Sequence, residues 1–158
     1  MNIGLLDIPV LYLSSQIMRS KPDYYRLLQA VHEQADAPEV WQEWVLYILA
    51  AVETTAQQTI RTVTDIKSAL LDYKHRIWTA FKFYSQDLIN NLFMHPYTKI
   101  EFVERDLKVL RLPAPRYLAA LVQGGFLRKV KVGRSNYFVN VELNAILTQV
   151  DSAPERPT

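Results

Sequence analysis

The spacing of apolar residues predicts a chain built mainly from helices. Apolar positions recur every three or four residues over 5–18 and again after Ser20. Ser20 is placed to cap a second helix, and Pro22 and Asp23 suit its first turn. From about Glu39 the pattern stays helical without glycine or proline, which predicts one long helix over residues 39–78.

The long predicted helix carries a seven-residue apolar repeat. Its two columns are Leu49, Ala56, Val63, Leu70 and Ile77, and Val45, Val52, Thr59, Ile66 and Tyr73. Such a seam is typical of helices that pack lengthwise against one another. A helix of about 36 residues would be roughly 54 Å long at about 1.5 Å per residue, too long for a small domain to bury throughout. The seam therefore predicts a covering of other helices, a second copy, or both. A homo-oligomer is expected to form through Val45, Leu49, Val52, Val63, Ile66 and Leu70.

A second, compact unit is predicted over residues 84–150. Ser85 is placed to cap the first of three short helices, and Gly124 and Gly125 end the third. Period-two alternation over 126–132, a turn at 133–136 and a strand at 137–139 predict a hairpin, and a last helix follows. This order is typical of a winged helix-turn-helix with a two-stranded wing. The predicted domains are residues 1–80, a helical part, and 84–150, with a flexible tail over 151–158.

Composition excludes several kinds of chemistry. The 158 residues are 49% hydrophobic and 22% charged, with no cysteine, so disulfides and thiolate metal sites are excluded. The four glycines cannot form a phosphate-cradling loop. His32, His75 and His95 lack metal-ligand spacing, so no metal, cofactor or catalytic residue is predicted. Without a signal peptide or a long apolar run, a cytoplasmic protein with no membrane partner is expected.

Positive charge is concentrated in the second unit. Residues 105–134 hold eight Lys and Arg residues against one carboxylate, a net charge of +7, whereas the whole chain carries +2. A basic segment on a winged helix favours duplex DNA as a partner. The predicted nucleic-acid-binding residues are Arg111, Arg116, Tyr117, Arg128, Lys129, Lys131, Arg134 and Asn136, and Tyr137 could add a neutral contact. Pro113 and Pro115 remove N–H groups at the third helix, which weakens the case for base-specific reading. A winged helix used for protein docking or dimerisation remains the alternative.

Several stretches resemble the C-terminal part of the Fic (filamentation induced by cAMP) family, in bacterial members that carry a winged helix. They read Gly4-Leu-Leu-Asp-Ile-Pro-Val-Leu-Tyr-Leu-Ser14, Asp23-Tyr-Tyr-Arg-Leu-Leu28 and Trp44-Val-Leu-Tyr-Ile-Leu49 followed by Ala51-Val-Glu-Thr-Thr-Ala56. In the second unit, His95-Pro-Tyr-Thr-Lys-Ile100, Tyr117-Leu-Ala-Ala-Leu121 and Gly125-Phe-Leu127 match as well. The resemblance implies that residues 1–80 are the C-terminal remnant of a Fic core.

The resemblance also implies what this sequence lacks. Fic enzymes transfer AMP to hydroxyl side chains of target proteins with the motif HxFx[DE]GNGRxxR, which lies upstream of the Gly-Leu-Leu-Asp-Ile-Pro stretch. That motif does not occur in this sequence, so the chain is expected to start after it, as a truncated product or an expressed fragment. The resemblance therefore favours a non-enzymatic fragment of an AMPylation-related protein. Its winged helix is expected to contact DNA and regulate transcription, or else to dock proteins.

Overall fold

The computed structural model describes residues 13–107 and 113–151. Within these ranges seven helices and three strands follow one another: α1 Leu13–Arg19, α2 Lys21–Glu33, α3 Pro38–Ala80, α4 Gln86–Met94, β1 Tyr97–Thr98, α5 Ile100–Leu107, α6 Pro113–Gln123, β2 Leu127–Val132, β3 Ser135–Asn140 and α7 Val141–Asp151. The mainly helical fold class is thus confirmed, and the long helix extends slightly beyond its predicted ends. The parts of the predicted first helix before residue 13 and the predicted tail after residue 151 lie outside the described residues.

By their contacts, the described residues fall into two compact units that divide between Arg61 and Thr62. The division lies inside α3, whose last turns supply the buried Tyr73 and Ile77 to the second unit. The predicted domain bounds, residues 1–80 and 84–150, stay a prediction.

In the first unit, α2 packs on the first half of α3 through aromatic side chains. The Tyr24 ring lies 5.4 Å from that of Trp44, which stacks at 6.1 Å on Tyr47. Leu27 and Ala51 are buried there. Ser20 does not cap α2 as predicted, because its backbone is not extended and its Oγ is within 2.7 Å of the Tyr47 hydroxyl instead. The hydrogen bond between Ser20 and Tyr47 thus links the α1–α2 corner to α3.

The second unit has a single core of helical and strand residues. Its largest fully buried side chains include Leu88 and Leu92 of α4, Val103 of α5 and Leu118 and Leu121 of α6. Phe138 of β3 closes the core from the sheet side. As predicted, Ser85 caps α4, its Oγ accepting a 3.1 Å hydrogen bond from the Leu88 N–H. Gly125 adopts a φ of 78°, a left-handed conformation that ends α6 at the predicted place.

The predicted two-stranded wing is confirmed, and a short third strand joins it. β2 and β3 pair antiparallel from Leu127 opposite Asn140 to Val132 opposite Ser135. β1 pairs with the other side of β3, so the strand order is β1-β3-β2. The order α4-β1-α5-α6-β2-β3 is that of a winged helix. β1 was not predicted from the sequence, since two residues are too few to show a period of two.

Candidate nucleic-acid interface

The register of the hairpin decides which face of the wing each predicted residue occupies. Because side chains alternate across a strand, Lys129 and Lys131 share one face with Phe138 and Asn136, their cross-strand partners. Arg128 lies on the opposite face with Val130. Phe138 is buried on the first face, so Lys129 and Lys131 lie on the core-facing side of the hairpin, at positions beyond the core itself. The predicted basic residues of β2 therefore do not all point the same way.

The tip of the wing is a tight turn that carries one more cation. Gly133 has a φ of 59°, which glycine adopts without the steric cost that other residues meet. Arg134 follows it and is exposed. Asn136 is half-buried opposite Lys131. The turn therefore places Arg134 at the end of the hairpin, next to the strand positions of Lys131 and Asn136.

The described cations of the predicted site are exposed and take part in no ion pair. These are Arg116, Arg128, Lys129, Lys131 and Arg134. The salt bridges among residues 13–107 and 113–151 join other residues: Arg26 with Asp23 and Glu43, Arg76 with Asp72, and Arg105 with Asp106. The Arg105 pairing means that one charge of the basic segment is already balanced inside the unit. The five described cations named above are available to an anionic partner.

Helix α6 offers few groups that could read a base. Its buried positions are Ala114, Leu118 and Leu121, and its exposed positions are Pro115, Arg116, Ala119 and Gln123. Arg111 lies outside the described residues. Tyr117 is half-buried, with its ring stacked at 4.3 Å on that of Phe83. That stacking already occupies one face of the Tyr117 ring.

A lysine and several aromatic rings lie together beside β1, and of these only Tyr137 was predicted as a nucleic-acid contact. The Lys99 Nζ lies 4.4 Å from the Tyr137 ring centroid and 5.7 Å from that of Phe102. The Tyr137 ring contacts that of Tyr97 at 5.4 Å, and Tyr97 stacks at 6.5 Å with His95. The proximity of Tyr97 and Lys99 to Tyr137 could not be predicted from the sequence, because it depends on the pairing of β1 with β3.

Residues 73–143 match the family model of the C-terminal domain of SoFic-like protein adenylyltransferases. We refer to the matched residues, 73–143, as the SoFic-like domain. The match confirms the resemblance to the C-terminal part of a Fic family protein. It begins at the buried Tyr73 near the end of α3 and ends at Leu143 in α7. The SoFic-like domain therefore takes in the last turns of α3 along with the winged helix.

Two further observations concern the described ranges alone. None of the helices within 13–107 and 113–151 combines the length and the apolar composition needed to span a bilayer. In the same ranges, no three His, Asp or Glu side chains stand together where they could hold a metal ion.

Proposed function

We propose that the SoFic-like domain binds duplex DNA through its wing, as a non-catalytic, regulatory module. The supporting observation is the set of exposed cations on β2, the wing turn and α6 that form no ion pair among the described residues. Phosphate contacts from Lys and Arg supply most of the affinity in such complexes. A winged helix presents its third helix and its hairpin to the duplex, which are the two elements that carry these cations.

The α6 surface suggests that the contact depends little on sequence. Pro115 has no N–H to donate, and Ala114 is buried, so the first turn of α6 has few groups for bases or phosphates. Arg116 is the exposed residue there whose guanidinium suits a guanine edge. Backbone contacts from Lys129, Lys131 and Arg134 are then the main source of affinity.

Salt dependence tests the proposal. A fluorescent mixed-sequence duplex is titrated at 50 mM and 200 mM salt, and the slope of log affinity against log salt is measured. Losing one phosphate contact lowers that slope by about one. Lys131→Ala and Arg134→Ala should each do so, whereas Lys67→Ala, on an exposed lysine of α3, should leave the slope unchanged.

Arg116→Ala separates base reading from backbone contact. If Arg116 contacts a guanine, its loss reduces discrimination between sites by about 1–3 kcal/mol and leaves the salt slope nearly as it was. Wild-type binding weaker than about 0.1 mM at low salt is below ordinary non-specific attraction and would contradict the DNA proposal.

Protein docking is the second candidate function. The observation that favours it is the apolar character of the exposed α6 face, where Pro115 and Ala119 flank Arg116. Such a face suits a protein surface better than a groove lined with hydrogen-bonding base edges. If the duplex titration fails, this role for α6 takes its place.

A further inference from the structure

The sheet of the second unit has an outer face with its own composition. Leu127, Thr98 and Phe138 are buried and mark the inner face. By alternation, the outer face consists of Tyr97 on β1, Ser135, Tyr137 and Val139 on β3, and Arg128, Val130 and Val132 on β2. We call these residues, with the adjoining Lys99, the aromatic sheet face. It is distinct from the side of the wing that Lys129 and Lys131 occupy.

Two tyrosine rings and two cations lie on or beside this face. Tyr97 pairs with Val139, which pairs in turn with Arg128, so an exposed tyrosine and an exposed arginine lie in one row across the sheet. Tyr137 lies on the diagonal from Tyr97, with ring centroids 5.4 Å apart, and the Lys99 Nζ lies 4.4 Å from the Tyr137 centroid. Tyr97 is 41% exposed. His95 stacks beside one face of the Tyr97 ring, and the exposed part of that ring leaves π surface open to a partner.

The charge of the face limits its partner. At the strand positions that the structure describes, the face contains Arg128 and no carboxylate, and Lys99 adds a second cation beside it. A two-fold contact between copies would bring these cations against their own equivalents, which is unfavourable. The face therefore suits an anion, and its tyrosines suit an anion that also carries flat π groups.

We infer that the aromatic sheet face binds single-stranded nucleic acid. Unpaired bases stack on exposed aromatic side chains while nearby cations contact the phosphates, and this needs no particular sequence. A duplex keeps its base faces stacked inside the helix, so it cannot use Tyr97 in this way. The inference goes beyond the proposed duplex site, since Tyr97 and Lys99 are not part of that site and the aromatic sheet face lies opposite Lys129 and Lys131.

Binding of a twelve-nucleotide oligo-dT tests the inference, with fluorescence anisotropy as the readout. Tyr97→Ala should weaken binding by about 5- to 150-fold, the range that corresponds to the loss of one stacked base. Tyr97→Phe is the matched control, because it keeps the ring and loses only the hydroxyl, and it should bind like wild type. Circular dichroism of each variant checks that the fold is intact. We expect it to be, because the Tyr97 side chain is exposed.

An abasic oligonucleotide of the same length separates stacking from charge. It keeps the phosphates and lacks the bases, so wild type and Tyr97→Ala should bind it equally, and both more weakly than wild type binds oligo-dT. Equal binding of oligo-dT by wild type and Tyr97→Ala would overturn the inference. The inference would also be overturned if the protein did not bind oligo-dT but did bind an acidic, tyrosine-containing peptide. That result would assign the face to a protein partner.

Arg134→Ala keeps the two nucleic-acid proposals apart. It lies at the wing turn, outside the aromatic sheet face, so it should weaken duplex binding and leave oligo-dT binding unchanged. Duplex binding that persists when oligo-dT fails overturns this inference alone. If the protein binds oligo-dT in a Tyr97-dependent way but does not bind duplex DNA, the duplex proposal alone is overturned.

Discussion

At the scale of single residues, Tyr73 ties together three distant parts of the SoFic-like domain. It is 1% exposed, and its ring meets those of Phe93 and Phe126 edge-on at 5.3 Å and 5.1 Å. Its hydroxyl donates a 2.9 Å hydrogen bond to the Phe126 carbonyl and accepts one of 3.3 Å from the Glu142 N–H. Burial raises the pKa of Tyr73, so the hydroxyl stays protonated and able to donate at neutral pH.

Tyr73→Phe tests how much that hydroxyl contributes to stability. The Phe126 carbonyl also accepts from the Val141 N–H, so the Glu142 N–H is the group that loses its partner. Leaving a partly buried donor unsatisfied should lower the free energy of unfolding by about 1–3 kcal/mol. Urea titration followed by circular dichroism measures the change.

The matched control for Tyr73 is Tyr84→Phe. The Tyr84 hydroxyl makes only an exposed 3.5 Å contact with the Gln86 side chain, so its loss should change stability by less than about 0.5 kcal/mol. Equal effects of the two substitutions would contradict the assigned role of Tyr73.

The inward position of Tyr73 could be predicted from the sequence, but its bonding could not. The seven-residue repeat places Tyr73 and Ile77 on one side of the helix, and both are buried in the structure. The partners of the hydroxyl lie 53 and 69 residues further along the chain. No local pattern specifies contacts of that range, because they depend on how the hairpin and α7 return to α3.

At the scale of elements, a polar chain joins α4, β1 and α5. The Thr98 hydroxyl donates a 2.8 Å hydrogen bond to the Asn91 side chain, whose Nδ2 donates one of 2.7 Å to Asp106. Asp106 also pairs with Arg105, with 2.6 Å between Nε and Oδ1. The hydrogen bond from Arg105, aided by the one from Asn91, holds the pKa of Asp106 below its ordinary value.

The lowered pKa of Asp106 predicts a loss of stability in acid. A carboxyl with a lower pKa in the folded state binds protons more readily when unfolded. Its contribution is complete above the unfolded pKa, about 3.9, and is lost as the pH falls through the folded value. Asp106→Asn should therefore cost about 1 kcal/mol at pH 7 and show a shallower loss of stability between pH 5 and 3.

Arg105→Ala serves as the companion variant for Asp106. It keeps the carboxylate and its hydrogen bond from Asn91 but removes the main cause of the lowered Asp106 pKa. The free energy of unfolding should therefore fall less steeply at acid pH in this variant too. Urea-unfolding free energies at pH 7, 5, 4 and 3 measure both effects. If wild type and Asp106→Asn differ by the same amount at pH 7 and pH 3, the carboxylate has no special role.

Elements with long, regular patterns were predicted well, and the short strand was not. The uninterrupted helical pattern identified α3 nearly to its ends, and Ser85 and the Gly124-Gly125 pair marked ends that the structure confirms. β1 exists because Tyr97 and Thr98 pair with Val139 and Phe138. The same tertiary pairing creates the aromatic sheet face, which is why that candidate site could not be found from the sequence alone.

At the scale of the whole molecule, α3 presents apolar side chains to solvent. Val45 and Leu49 are 49% and 57% exposed, and they lie four residues apart on one side of the helix. Leu46 and Val63 are exposed as well, whereas Val52, Ile66 and Leu70 of the predicted seam are half-buried. Monomeric proteins rarely leave such a run of large apolar side chains uncovered.

We propose that two copies of the chain associate through this surface of α3, since a two-fold dimer is the commonest closed assembly. Sedimentation or light scattering at tens of micromolar should then give twice the chain mass of 18.3 kDa. Leu49→Glu places a charge in the middle of the buried contact, so it should shift the protein to monomer. Thr54→Glu adds the same charge at an exposed position on another side of the helix from Leu49 and Leu46, so it should leave the dimer intact. A wild-type monomer at these concentrations, or a Leu49→Glu protein that still dimerises, would show that this face of α3 is covered in another way.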